Sequence, residues 1–400
     1  MANATGQIVY DAVVVGAGPA GASAAETLAR AGGRVLLLER ARLPRYKPCG
    51  GALTARARAY APAAAEFTPQ ATATSLDVIA GRHALSTATP HVIGMTMREH
   101  FDAYLTARAV AAGAEVRDGT ALGALEVEGR NIKVGAGKDR VRTRYVIGAD
   151  GANGVTARLA GFDSAAEPAA AIEAEVRVSD AVSARYAQVA LLDFRAAPGG
   201  YGWIFGKGDH VSAGVCTVDT GARRGLRPAL DAFLAAYPEL AAGTVIVQRG
   251  HRVPLAGGRG TRWRGGVVLA GDAAALADPF TGEGISYALA SGRRAGGAVL
   301  SALSDPGKEY AAMTAYDRYL SSELCGDLRY ARLVAAVVYR YAQPAVRLAR
   351  ESGFVRDLAL HTLNGSASYR DVLVAMATRL PQLARFALAG GLRGDSSMPS

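Results

Sequence analysis

The 400-residue chain is half hydrophobic and holds 48 glycines, the composition of a globular protein with two or three structural units rather than a disordered or fibrous one. Its net charge of +10 is carried mainly by arginine, without an aromatic-interleaved basic cluster or zinc-finger spacing, so no nucleic-acid partner is expected. Three distant cysteines, Cys49, Cys216 and Cys325, form neither a disulfide framework nor a Cys-x-x-Cys site, which argues against structural zinc and suits a reducing cytosol.

The first residues lack the basic region, apolar stretch and cleavage site of a signal peptide. Instead "IVYDAVVV" (8–15) is a short β-branched run that predicts a buried strand. The glycine turn "GAGPAG" follows, then an alanine-rich helical stretch ending in glycine, then a second apolar strand, "RVLLLER". Strand, turn, helix and strand make a βαβ unit. Gly16, Gly18 and Gly21 form G-x-G-x-x-G, and Glu39 closes the next strand 23 residues after Gly16. That spacing suits a dinucleotide: a tight turn at Gly16, close pyrophosphate approach at Gly18, helix–strand packing at Gly21, and ribose hydroxyls on Glu39.

Further along, "RYKPCGGALT" (45–54) places Cys49 between a proline and two glycines. Residues 97–112 predict a helix with Phe101, Leu105 and Ala109 on one face, and "RYVIGADG" (144–151) another buried strand. Residues 71–95 and 170–218 alternate in the manner of an antiparallel sheet, inserted twice into the α/β unit. Cys216 alternates within such a strand and is assigned to the core. "GGVVLAGDAA" (265–274) is a third strand, with Asp272 at its end, before a helix from about 282 to 302. A carboxylate there suits a ribityl hydroxyl, and "PFTGEGI" opens a helix whose amides suit the electron-rich edge of a reduced flavin. One pyrophosphate site plus one flavin cradle indicates FAD. From about 307 to 389 the pattern is helical, broken at Pro344 and Pro381, and the tail after Gly390 lacks periodicity. No stretch of 18 apolar residues predicts a membrane span.

Six motifs in order, "GAGPAG…LLLER", "KPCGG", "MREHFDAYL", "GADG", "YGWIFGKGDHVSAGV" and "GDAAALADPFTGEGI", resemble the geranylgeranyl reductase family over roughly residues 8–300. These are FAD proteins of the aromatic-hydroxylase-like fold that reduce isolated double bonds in polyprenyl chains of pigments, archaeal lipids and quinones. The resemblance implies an α/β fold, with a Rossmann-type FAD-binding domain (1–70, 97–165 and 259–304), an inserted antiparallel-sheet substrate domain (71–96 and 166–258) and a helical C-terminal region (305–400). It implies FAD contacts from Ala20, Glu39, Cys49, Gly50, Ala52, Arg98, Leu122, Asp272, Gly284 and Ile285. It implies a polyprenyl-tailed substrate against Tyr201, Trp203 and Phe205, with Gly206 where the family motif carries proline, and NADPH or reduced ferredoxin as external electron donor.

Alternation puts the three aromatics on one strand face, where they wall an apolar tunnel or form an ordinary core stripe. Reducing an isolated alkene needs a proton as well as a hydride. Cys49 is either the proton donor or relay, or packs inertly on the flavin. Lys47 either neutralises a phosphate or is solvated, and His100 and His210 receive no role. Ten arginines oppose four acidic residues between Leu328 and Ser400, a net +6. This stretch is either an amphipathic basic surface on an anionic bilayer or a helical cap with a solvated arginine face. The expected location is cytoplasmic, with the bilayer alternative placing the protein peripherally on the inner face of the membrane. The competing functional reading is an FAD-dependent monooxygenase or halogenase-like enzyme acting on an apolar aromatic substrate. A non-catalytic flavin or lipid carrier has no positive feature in its favour.

Overall fold

A computed structural model of the chain describes residues 9–163, 168–257 and 260–379. Its first sheet is built on four strands, three of them short and largely apolar and the fourth, Asp139–Gly148, polar at its start and buried from Tyr145 to Gly148. Val267–Leu269, Asp139–Gly148, Val9–Val15 and Val35–Leu38 lie side by side and parallel, with Val13 opposite both Leu36 and Val146. Glu115–Arg117 extends one edge in parallel, and Trp263–Arg264 pairs antiparallel at the other. An antiparallel hairpin, Leu122–Glu128 and Asn131–Ala136, pairs with Asp139–Gly148. Helices Pro19–Arg30, Arg98–Ala111 and Ile285–Ser304 pack together beside this sheet. Close packing at the first turn demands glycine: a Cβ on Gly21 would sit 1.8 Å from the Gly16 carbonyl oxygen.

Gly16, Asp150 and Asp272 all follow the carboxyl ends of neighbouring parallel strands. In open α/β sheets that edge is where ligands bind.

The second sheet has eight strands in the order Thr244–Val253, Ala169–Arg177, His210–Thr217, Gly200–Gly206, Val189–Asp193, Ala71–Ala80, His83–Met95 and Ala52–Leu53. It is not wholly antiparallel, because Val189–Asp193 and Ala71–Ala80 run in parallel. Ala52–Leu53, expected with the nucleotide-binding segments, pairs instead with Met95 and Gly94 of this sheet. Side-chain alternation gives the sheet two faces. Val176, Ile204, Val211, Ala213 and Val215 form a core with Leu230 and Phe233 of helix Leu226–Ala235. Tyr201, Trp203, Phe205 and Cys216 point the other way, into a cavity against the first sheet.

The C-terminal helices follow the expected pattern with one shift. The break falls at Tyr341, between Cys325–Arg340 and Ala342–Glu351, while Pro344 sits inside the first turn of the second helix. A first-turn position suits proline, whose missing N–H has no intrahelical partner there. Pro381 and the tail lie outside the described residues. Val346 and Leu360 pack with Leu76 and Ile93, so these helices cap the sheet end.

Candidate active site

The cavity encloses about 1800 Å³ of empty space, open solvent at its mouth included. Gly18, Ala20, Cys49, Gly50, Ala52, Arg98, Asp272, Gly284 and Ile285 all line it, as do Tyr201, Trp203 and Phe205. Four expected residues do not. Gly16 and Gly21 shape the turn behind Gly18. Leu122 is buried in the core of the first sheet. The Glu39 carboxylate accepts the Ala17 N–H at 3.0 Å and the Ala41 N–H at 3.1 Å, and stands 3.3 Å from Arg45 Nε.

Two uncapped helix starts face this space. Helix Pro19–Arg30 has no side-chain cap, and Arg98 Nη2 lies where it would be 3.6 Å from a Cβ on Gly18. Arg98 is held by a bidentate pair with Asp102, at 2.8 and 2.9 Å, and Asp102 also accepts from Arg45 at 2.9 Å. Burial disfavours the Arg98 charge, but the Asp102 carboxylate more than compensates and fixes it as a cation. An uncapped helix N-terminus beside a fixed guanidinium is an anion site. The second start, Ile285–Ser304, is capped only by the Gly284 backbone. Asp272 stands beside it, 4.0 Å from both Lys47 and His251. Burial raises the Asp272 pKa, but His251 and Lys47 outweigh it and hold the carboxylate ionised. Pyrophosphate donors, a ribityl acceptor and a free helix start therefore all fit FAD.

The Cys49 loop crosses the second sheet. Its start is held by Glu173, whose Oε1 accepts the Cys49 N–H at 2.8 Å and the Tyr46 hydroxyl at 2.8 Å. Its middle is held by Lys207, which donates to the Gly50 and Thr96 carbonyls at 2.6 and 2.8 Å. Gly51 has φ +65°, and a Cβ there would sit 1.9 Å from the Thr96 oxygen and 2.6 Å from Lys207 Nζ. Tyr201, Trp203 and Phe205 follow one another at centroid spacings of 6.4 Å. Phe205 underlies Gly50, and the Tyr201 hydroxyl donates to the Thr281 carbonyl. The aromatic strand thus touches both the Cys49 loop and the loop that opens the second helix. Cys216, assigned to the core by alternation, is instead half-buried at the cavity wall, and burial pushes its thiol up to about 11.

A family model described as FAD binding domain matches residues 9–309. A digeranylgeranylglycerophospholipid reductase of Methanopyrus kandleri is 33% identical over 348 residues, 82% of this chain and 90% of the relative. The chain belongs to the geranylgeranyl reductase family. A geranylgeranyl diphosphate reductase of Rhodobacter capsulatus is 34% identical over 307 residues, 74% of this chain and 76% of the relative. In fold, the chain matches a geranylgeranyl bacteriochlorophyll reductase-like protein from Thermoplasma acidophilum, with TM-score 0.78, 22% identity, and coverage of 94% and 98% of the two chains. As a geranylgeranyl reductase family member with that FAD-binding match, it is a flavin-dependent oxidoreductase that uses FAD.

Sequence reasoning missed several groups that build this site. Glu173, Lys207, Arg249 and His251 sit on strands, or just past their ends, and read there as ordinary charged positions. A buried cluster was also missed: Arg56 donates to Glu283 at 3.1 Å and lies 3.6 Å from Asp278, and Tyr369 donates to Asp278 at 2.7 Å. It clamps the loop before Gly284 to the C-terminal helices. The Asp150 carboxylate of "GADG" accepts the Val155 and Thr156 N–H groups at 2.7 and 2.9 Å and anchors a short helix.

Proposed function

We propose that the chain saturates carbon–carbon double bonds in a polyprenyl-tailed lipid, pigment or quinone, using electrons from NADPH or reduced ferredoxin. The observation that carries this reading is a polarity gradient along the cavity wall. At one edge of the second sheet stand Arg249 and His251. Glu173 follows on the next strand, then Cys216, then the three aromatics, then Leu192, Leu76 and Ile93 on successive strands. Those six strand-to-strand steps, at about 4.8 Å each, span roughly 29 Å. Such a wall suits a ligand with a polar head and a long apolar tail. Each buried methylene of the tail contributes about 0.8 kcal/mol.

In this reading the segments before residue 70, from 97 to 165 and from 259 to 304 hold the cofactor, and the second sheet holds the substrate. Gly18, Ala20 and Arg98 take the pyrophosphate, with Gly16 and Gly21 shaping their turn. Glu39 and Leu122 bound the adenosine end, and Asp272 takes the ribityl chain. Gly284 and Ile285 face one edge of the flavin, and Cys49, Gly50 and Ala52 lie along its ring. When bound and reduced, FAD supplies a hydride. Tyr201, Trp203 and Phe205 hold the tail, exclude water and offer aromatic faces to positive charge developing at the reacting carbon. Among the described residues no helix is long and apolar enough to cross a membrane. The reading places the protein in the cytoplasm, meeting its substrate at the inner face of the membrane through exposed Tyr330, Leu333 and Val337 on helix Cys325–Arg340, with exposed Tyr341 just past its end and arginines nearby.

The test is an anaerobic incubation of dithionite-reduced, FAD-loaded protein with geranylgeranyl diphosphate, read by mass spectrometry. The reading requires a gain of two hydrogens per bond. An unchanged substrate, or oxygen incorporated once air is admitted, counts against it.

A further inference from the structure

Every alkene saturated consumes one proton, and the cavity wall is largely apolar. The residues lining it include three carboxyls, Glu173, Asp272 and Glu283. Asp272 stands between Lys47 and His251, and Glu283 is bound by Arg56 and Thr54. Glu173 has no cation in ion-pair range among the described residues and is 2% exposed. Both of its donors, the Tyr46 hydroxyl and the Cys49 N–H, go to Oε1. Oε2 is therefore left to carry a proton.

Behind it on the same strand face lies Glu175, also 2% exposed, with both carboxylate oxygens buried and without a hydrogen-bond partner. His210 Nε2 stands 3.4 Å from Glu175 Oε2, and its Nδ1 stands 2.7 Å from the solvent-exposed Asp209 carboxylate. Asp209, His210 and Glu175 thus lead inward from the surface to within two residues of Glu173 on the same strand.

We infer that Glu173 is the acid that protonates the substrate alkene, and that His210 and Glu175 resupply it from solvent. The inference rests on the reductase reading above. In the step, the alkene π pair takes the proton from Glu173 Oε2 to form one C–H bond. The hydride supplied by the reduced flavin forms the second at the neighbouring carbon. Glu173 is left as carboxylate and regains a proton from Glu175, which is recharged through His210 from water. Atoms, charge and electrons balance: one hydride and one proton per double bond, with no further reductant.

The electrostatics agree with this line. Burial, then the Glu175 charge, raises the Glu173 pKa to about 7, against the opposing pull of its Tyr46 and Cys49 bonds and of Lys207. Arg249 pairs opposite Glu173 on the edge strand, with His251 beyond it, and Cys216 is on the other neighbouring strand. For His210, burial lowers the pKa, but contacts with Glu175 and Asp209 overcome it and the net shift is upward. Arg177 is its cross-strand neighbour. An imidazole whose hold on its proton is strengthened by two carboxylates suits a relay.

The first arm of the test is infrared difference spectroscopy of the FAD-loaded, oxidised protein through a pH titration. A protonated-carboxyl band should vanish with a midpoint near 7 and be missing from Glu173→Gln. The second arm is turnover on geranylgeranyl diphosphate with dithionite. Glu173→Gln should lose about 100-fold or more in kcat while its flavin spectrum and FAD affinity stay normal, and Glu173→Asp should recover part. The wild-type rate should fall as pH rises through 7. His210→Gln should slow turnover mainly above neutrality, with rescue by added imidazole. Absence of a titrating band, or Glu173→Gln turning over at the wild-type rate across this range, overturns the inference. A wild-type protein inert toward geranylgeranyl diphosphate but with the band intact counts against the reductase reading and leaves the proton store at Glu173 standing.

Discussion

Lys207 donates to the carbonyl of Gly50 at 2.6 Å, across 157 residues of chain, and so fastens the end of the aromatic strand to the Cys49 loop. The lysine is 2% exposed and shares its surroundings with Glu173 and Glu175, whose charges oppose the lowering of its pKa by burial. Replacing it with methionine removes both bonds and leaves the Gly50 and Thr96 carbonyls without that donor. Lys207→Met should cost roughly 2–4 kcal/mol in denaturant unfolding. The freed loop should also expose Cys49 to faster alkylation by iodoacetamide. Wild-type stability together with an unchanged alkylation rate would show that Lys207 does not clamp the loop.

Gly51 gives a sharper test of the same loop. Alanine there meets a carbonyl oxygen and a buried ammonium while holding positive φ. Gly51→Ala should lose roughly 2 kcal/mol or more and purify with reduced FAD content. Full cofactor content with unaltered melting would mean the loop path is wrong.

The Glu173 carboxyl sets a pH dependence of stability whose sign follows from its raised pKa. The folded state holds the proton up to about 7, whereas the unfolded chain releases it near 4.5. The folded state therefore binds more protons between these values, so stability falls as pH rises through that window. Glu173→Gln removes this slope. Its melting temperature should gain on the wild type from pH 5 to pH 8, by up to about 3 kcal/mol in equivalent stability. Parallel melting curves at the two pH values would place Glu173 in an ordinary, ionised state.

The exposed face of helix Cys325–Arg340 makes a separate prediction. Leu333 and Val337 are 57% and 59% exposed, and Arg340 lies over the Tyr341 ring. Leu333→Asp with Val337→Asp should abolish flotation with anionic liposomes and leave flavin spectra untouched. Flotation should weaken with added salt in the wild type. Equal recovery of both proteins would leave this stretch as a cap and nothing more.

How legible the site was follows from how local its parts are. The dinucleotide turn, the Asp272 strand end and the Gly284 helix start are each written in fewer than about ten adjacent residues, with strand and helix patterns on either side. Alternation alone set the shared face of the aromatic triple but left tunnel wall and core stripe both open. Glu173 and Glu175 were not legible. Charged residues alternating in a strand are read as a solvated face, whereas Glu173 is met by Tyr46 and Cys49, 124 to 127 residues away. Lys207 and the Arg56–Asp278–Glu283 cluster were hidden for the same reason, since each takes its meaning from partners distant in sequence. Cys216 was misassigned because a sheet with ligand on one face and helices on the other is apolar on both. Alternation then cannot tell cavity from core. The C-terminal helices offered two readings, cap or membrane face. Val346 and Leu360 against the sheet supply the cap, while Leu333 and Val337 keep an apolar face outward.

The central claim is that the second sheet's cavity face guides a long apolar tail past the Cys49 loop, head group toward Arg249 and tail toward Leu76 and Ile93. An experimental structure of the FAD-loaded protein with geranylgeranyl diphosphate tests it most directly. The account predicts the diphosphate at the Arg249 rim, the chain across Tyr201, Trp203 and Phe205, and one double bond between the flavin and Glu173. A chain bound outside this cavity, or entering with its diphosphate among Leu76, Ile93 and Leu192, would contradict it.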